Sequence, residues 1–230
     1  MSARYAVYFS PASNSPWWNL GSRWLGRDES TGERLVQPLF TEDCPEDFQR
    51  ITAEPRRYGF HATLKAPFRL AHGVDELVLL PRMQALAKTL KPLTLSPLGL
   101  ASWDGFVALV PQLPTAELLA LAASCVTELD DLRAPLTADE LARRTPGLDA
   151  RGLALLAQFG YPHVLERLRL HFTLTGRVAP QTRQWVESVL HPALEGLNRQ
   201  SPLVLDRLCL FAEYQPGAAF LRIADVQVGA

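Results

Sequence analysis

His61-Ala62-Thr63-Leu64 recurs as His171-Phe172-Thr173-Leu174, an offset of 110 residues, and the two tetrapeptides anchor a longer repeat. A helical pattern follows each, over 74–90 in the first half and 181–197 in the second. Beyond the helices, apolar positions 93, 95, 98 and 100 map onto 203, 205, 208 and 210, again 110 apart. Both halves then turn, around Asp104-Gly105 and Pro216-Gly217, into a further strand at 106–110 and 220–224. Matching helices and strands alone do not preserve one offset across such a span, so the pattern predicts a duplicated unit. The expected fold is α+β and two-lobed, each lobe an antiparallel sheet backed by helices, with a cleft between them. Residues 1–230 read as one domain with repeat units at 56–111 and 166–226.

The remaining segments fit around this frame. Arg4 to Phe9 alternates as a strand, and 10–50, rich in Pro, Gly, Ser and Trp, reads mostly as ordered loop. Thr115 to Arg133 reads as a helix. Residues 136–160 form an insertion of two short helices, the first opened by a capping box at Thr137 and Glu140, the second capped by Asp149. A net charge of −1 argues against a broad basic field for coating nucleic acid and fits a small anionic ligand. Cys44, Cys125 and Cys209 are odd in number and lack metal spacing, which predicts reduced thiols. With no signal layout at the start and no membrane-length apolar run, a cytoplasmic location is expected.

Side chains alternate across a strand. That places Arg57, Gly59, His61, Thr63 and Lys65 on one face of the first motif strand, opposite Tyr58, Phe60, Ala62 and Leu64. In the second, Arg167, Arg169, His171, Thr173 and Thr175 oppose Leu168, Leu170, Phe172 and Leu174. Each polar face carries a His-x-Thr and no acidic residue. Displacement at phosphorus needs a base on the attacking oxygen and an acid on the leaving oxygen. Two imidazoles supply both near neutral pH. Thr63 and Thr173 are the expected hydroxyl donors to non-bridging oxygens. Lys65, Arg57 or Arg169 is the expected stabiliser of added charge in the transition state. Metal sites built on paired histidines recruit carboxylates or cysteines at close spacing. Here Glu54 and Glu166 lie seven and five residues away, so no metal and no cofactor is expected.

The motifs resemble the two-histidine (2H), LigT-like phosphoesterase superfamily. The stretch Tyr58-Gly-Phe-His-Ala-Thr-Leu-Lys-Ala-Pro-Phe68, with Trp24-Leu-Gly-Arg-Asp28 and Thr31-Gly32, is similar to its phosphonate-operon branch. The resemblance implies a cyclic phosphodiesterase with His61 and His171 as acid and base and Thr63 and Thr173 binding phosphate. It implies a small sugar phosphate or cyclic ribose phosphate as substrate, in phosphonate metabolism. Tyr58, Thr175 and Arg27 join Lys65, Arg57 and Arg169 as expected substrate contacts. Two other function classes remain open at this point: a non-catalytic binder of a phosphorylated metabolite, and a processor of RNA ends bearing 2′,3′-cyclic phosphates.

Overall fold

Alternating apolar side chains build strands here, and the strands that the repeat predicts join in one antiparallel sheet. The computed structural model describes residues 3–40 and 43–229. Its first part runs β1 (Arg4–Phe9), α1 (Pro16–Leu25), α2 (Phe48–Ile51), α3 (Ala53–Tyr58) and β2 (Ala62–Phe68). There follow α4 (Glu76–Thr89), β3 (Leu93–Thr94), β4 (Leu98–Trp103), β5 (Phe106–Pro111), α5 (Ala116–Thr127), α6 (Ala138–Arg144) and α7 (Ala150–Phe159). The last part is β6 (Phe172–Thr173), α8 (Pro180–Gln200), β7 (Val204–Leu205), β8 (Arg207–Glu213) and β9 (Leu221–Gln227). The fold is α+β, as expected.

The large sheet has the order β4-β5-β6-β2-β1-β8-β9, and β3 pairs separately with β7. Each hairpin therefore lies beside strands of the opposite half: β4–β5 against β6, and β8–β9 against β1. At the centre, β2 meets β6 with Ala62 opposite Phe172, and in the small sheet Thr94 lies opposite Val204. Both facing pairs are 110 residues apart, the offset of the repeat. An approximate two-fold axis thus passes between equivalent residues at both places, and it runs through the midpoint of the histidine motifs.

One face of the sheet is packed. Val7, Phe9, Ala62, Leu64, Leu109, Phe172, Leu174, Leu208 and Leu210 join α4 (Leu79, Met83, Leu86) and α8 (Trp185, Val186, Leu190) in a single core. The helices are exchanged like the hairpins, with α4 packing on β8 and β9, and α8 on β4 and β5. Fully burying one such Phe or Leu contributes about 1.5–3 kcal/mol. The opposite face holds a smaller cluster of Ala6, Tyr8, Cys209, Phe211 and Phe220, and leaves the centre of the sheet open.

The segment after β1 is more helical than its composition suggests. The Ser15 side chain caps α1 by accepting from Trp18 N–H, Pro16 occupies its first turn, and Gly26 ends it in a left-handed conformation. Trp17, Trp18 and Trp24 are all buried. Their indole N–H groups donate to Ser201 O, Glu29 Oε1 and Leu174 O, so they fix the segment to the core and do not offer a stacking surface. Within the same expected loop, residues 41 and 42 lie outside the described residues. The insertion forms α6 and α7, with the Thr137–Glu140 capping box and the Asp149 cap in place.

Candidate active site

The central register assembles the site. With Ala62 opposite Phe172 in an antiparallel pair, His61 lies across from Thr173, and Thr63 across from His171. Directly opposed residues have Cα atoms about 4.5–5.5 Å apart. The two histidines are diagonal neighbours, about 7–8 Å apart. All four side chains point to the open face, because Ala62 and Phe172 between them point into the core.

The imidazoles are held alike. His61 Nδ1–H donates to Gly59 O at 2.9 Å, and His171 Nδ1–H donates to Arg169 O at 2.6 Å. A carbonyl only accepts, so each neutral ring carries its proton on Nδ1 and leaves the Nε2 lone pair for chemistry. The Thr63 hydroxyl lies 3.5 Å from His61 Nε2. Gly59 presents its carbonyl from φ +79, and an added Cβ would meet Glu29 Cβ at 2.5 Å. Next to it, Phe60 is driven into the core against Phe172, ring centroids 5.0 Å apart, which fixes the loop that carries His61.

The surroundings differ. Tyr8 stacks on His61 at 3.9 Å, with Phe211 and Tyr58 about 6 Å away. Burial, with a smaller contribution from the charge of His171, pushes the His61 pKa down to about 4, against the opposing pull of its bond to Gly59 O. His171 is met edge-on by Trp103 at 5.5 Å and approached by Phe106 at 5.9 Å. Burial lowers its pKa too. A cavity of about 340 Å³ opens beside His171 and Thr63, walled by Trp103, Asp104, Tyr161, His163 and Arg169. A second, of about 240 Å³, opens beside His61 and Thr173, walled by Tyr58, Glu54, Phe106 and Arg177.

Several expected contacts lie elsewhere. Lys65 is buried, and its Nζ donates to Asp130 Oδ1 and Val126 O, each at 3.0 Å. The β1–β2 register skips a residue of β2 between Thr63 and Lys65, a bulge that takes Lys65 off the histidine face and under α5. Thr175 follows a similar irregularity, where the N–H groups of Leu174 and Thr175 both reach Val107 O. Its hydroxyl is buried and accepts from Val107 N–H at 2.9 Å. Arg57 belongs to α3, not to a strand, and is bound to Glu213 and to Ala218 O. Arg27 is buried and donates to the carbonyls of Arg56, Arg57 and Phe220. Tyr58 and Arg169 do border the cleft, and Thr175, although its hydroxyl is turned to the backbone, still lines the smaller cavity beside His61. Sequence reasoning missed Tyr8, Trp103 and Phe106. The first was detectable as the residue of the opening strand that alternates with Val7 and Phe9, and the others as the flanks of the Asp104-Gly105 turn.

Among the described residues, no three His, Cys, Asp or Glu side chains gather in a metal-holding group, and no helix is long and apolar enough to cross a membrane. Relatives extend over most of the chain. A protein from Janthinobacterium sp. (strain Marseille) named "Ribose 1,5-bisphosphate phosphokinase PhnN" is 41% identical over 223 residues, 95% of this chain and 49% of that protein. One of the same name from Laribacter hongkongensis (strain HLHK9) is 37% identical over 219 residues, 94% of this chain and 50% of that protein. The chain thus spans about half the length of the curated relatives it matches. The model of a family described as "Protein of unknown function (DUF1045)" matches residues 63–221, a span that takes in Thr63, Arg169, His171 and Thr173. By that match over more than half its length, the chain belongs to the DUF1045 family.

Proposed function

We propose that this chain is a two-histidine phosphodiesterase that opens a cyclic or ribose-linked phosphodiester. The observation that carries this reading is the central quartet. Two imidazoles whose Nε2 atoms are turned away from their backbone partners, that of His61 within 3.5 Å of the Thr63 hydroxyl, lie on one diagonal of a strand pair, and two threonine hydroxyls lie on the other. A phosphate seated over the axis accepts hydrogen bonds from both hydroxyls and has an imidazole on either side.

His61 is assigned the base and His171 the acid. The stacked, enclosed His61 is neutral at pH 7, so its Nε2 is ready to take a proton. His171 borders the larger cavity, and the phosphate's negative charge favours its protonated form. Water oxygen attacks phosphorus as its proton passes to His61 Nε2. The bond from phosphorus to the opposite ester oxygen breaks, and that oxygen takes the proton from His171 Nε2. The products are a phosphate monoester and a free hydroxyl, and solvent returns the two rings to their starting states.

The relatives' name, with its phosphorylated pentose, supports a ribose phosphate as the substrate class, and the phosphonate-operon resemblance supports a role in phosphonate metabolism. The phosphokinase activity in that name is not carried over. The alignment covers half of each relative, and this chain contains no G-x-x-x-x-G-K-[S/T] phosphate loop. The same reading treats the chain as one two-lobed unit, with repeats at 56–111 and 166–226 and an insertion at 136–160.

The test is turnover of nucleoside 2′,3′-cyclic phosphate, ribose 1,2-cyclic phosphate and a cyclic-phosphate RNA end, with EDTA present. The expected result is turnover of at least one, lost in His61→Ala and in His171→Ala proteins that still fold. Turnover that persists in both variants, or that EDTA abolishes, overturns the mechanism.

A further inference from the structure

The stretch Trp24-Leu-Gly-Arg-Asp28 supplies no side chain to either cavity beside the histidines, yet it reaches His61 through the backbone. Gly26 ends α1 in the left-handed conformation, and Asp28 Oδ1 closes the next turn by accepting from the N–H groups of Ser30 and Thr31. Between them Arg27 is turned inward and buried. Its Nη1 donates to Arg56 O and Arg57 O, each at 3.3 Å, and its Nη2 to Phe220 O at 2.8 Å. One guanidinium thus satisfies carbonyls at the C-terminal end of α3 and ties them to the residue that precedes β9.

Two routes lead from these carbonyls to His61. Along the first, Arg56 O also accepts from Gly59 N–H at 3.2 Å, and the carbonyl of the same Gly59 accepts from His61 Nδ1 at 2.9 Å. Along the second, Phe220 stacks on Tyr58 with ring centroids 5.2 Å apart, and Tyr58 approaches His61 at 6.1 Å. Phe220 N–H donates to Arg57 O at 2.9 Å, so the routes are cross-tied. Glu29, two residues beyond Arg27, packs its Cβ where a side chain at residue 59 would stand. Its carboxylate is fixed in turn by Ser10, Trp18, Ser22 and Arg222.

The His171 side has no counterpart. The chain that leads to Arg169 O is held by ion pairs at the surface, Arg167 with Asp149 and Arg151 with Glu166. Among the described residues, no buried arginine donates to the carbonyls of residues 165–169. A buried carbonyl that loses its donor must find another, so without Arg27 the end of α3 shifts and the Gly59 peptide moves with it. The tautomer of an imidazole is set by the hydrogen bond its other nitrogen makes. Building on the phosphodiesterase reading for its effect on rate, we propose that Arg27 is a positioning residue for His61. It touches neither the substrate nor the reacting atoms. It fixes the Gly59 carbonyl and the Tyr58 ring, and so keeps the His61 proton on Nδ1 and the Nε2 lone pair toward the quartet.

Imidazole nitrogen shifts, read by long-range proton–nitrogen NMR at about pH 8 where the rings are neutral, report each tautomer without any ligand. His61→Asn and His171→Asn proteins assign the two sets of signals. Arg27→Met keeps the length of the side chain and removes its donors. In it the His61 shifts are expected to move from the Nδ1–H form toward a mixture of tautomers, while the His171 shifts stay in place. If Arg27→Met does not fold, Arg27→Lys is read in the same way, because one ammonium cannot span the two elements. On the best cyclic phosphate kcat should fall about tenfold or more with KM within about twofold, since a displaced imidazole slows the chemical step. Unchanged His61 shifts in a folded variant overturn the assignment. Equal changes at both rings, the mark of a general loosening, overturn it too. If the wild type turns over no cyclic phosphate, the phosphodiesterase reading loses its support, and the spectra still decide the role of Arg27.

Discussion

The His61 and His171 sides of the cleft share a backbone and differ in their walls. Each imidazole donates from Nδ1 to the carbonyl two residues earlier, and each has a threonine two residues later on the same face. Around these constants, His61 is closed in by Tyr8, Tyr58 and Phe211, whereas His171 opens on Trp103, His163 and Arg169. The shared part sets tautomer and direction. The walls differ in enclosure and charge, which set proton affinity and ligand choice.

Losing either imidazole should have the largest effect. His61→Ala and His171→Ala are each expected to lower kcat/KM on the best cyclic phosphate by about 10²- to 10⁴-fold. Combining them should cost far less than the product of the two losses, since the rings act on one transition state. Full additivity in steady-state kinetics would separate the two sides into independent sites. Thr63→Val and Thr173→Val come next, each costing roughly ten- to a hundredfold by removing a hydrogen bond to charged oxygen. Nearly equal losses sharpen the symmetry, and a loss confined to one threonine breaks it.

Gly59→Ala probes the His61 side alone. The left-handed φ and the approach of Glu29 Cβ predict a destabilisation of about 1–3 kcal/mol in chemical unfolding. It should be accompanied by reduced kcat, because the carbonyl that orients His61 moves. Arg169→Ala keeps the corresponding backbone carbonyl and should leave kcat closer to wild type than Gly59→Ala does.

The effect confined to acid pH concerns proton linkage. The His61 pKa lies near 4 in the folded protein and about 6.5 in an unfolded chain. Between those values the unfolded chain binds more protons, so this contribution to stability is complete above pH 6.5 and is lost as pH falls toward 4. The loss is on the order of 3 kcal/mol. Denaturant titrations across that range should show the slope flatten in His61→Asn more than in His171→Asn.

The gathering of four residues at the sheet centre was legible because its signal is local. Strict alternation and a constant offset identify His61, Thr63, His171 and Thr173, and they identify the helices and hairpins that follow. The misplaced residues share a different cause. Lys65 and Thr175 sit just beyond irregularities whose existence depends on the neighbouring strand, which no pattern within one strand reveals. Arg57 was placed by extending the alternation backward, yet the chain from Ala53 to Tyr58 closes into a helix that Gly59 terminates. Arg27 finds its acceptors on backbone carbonyls that only the tertiary fold brings near, one of them at Phe220. The tryptophans of α1 and their caps were readable as a helix start, with Ser15 and Pro16 before them and Gly26 after. Their aromatic and glycine content obscured it.

The exchange of hairpins and helices has a consequence for how this chain is made. Neither half contains a complete lobe, because β4–β5 need β6 and α8, and β1 needs β8. A ribosome that has released only the first half holds strands whose partners are not yet synthesised, so folding waits on contacts more than a hundred residues apart and should be slow. A nick in the turn between α6 and α7 should yield two fragments that stay associated, each unable to fold without the other. The quartet of His61, Thr63, His171 and Thr173, with two residues from each fragment, then reports their reassembly.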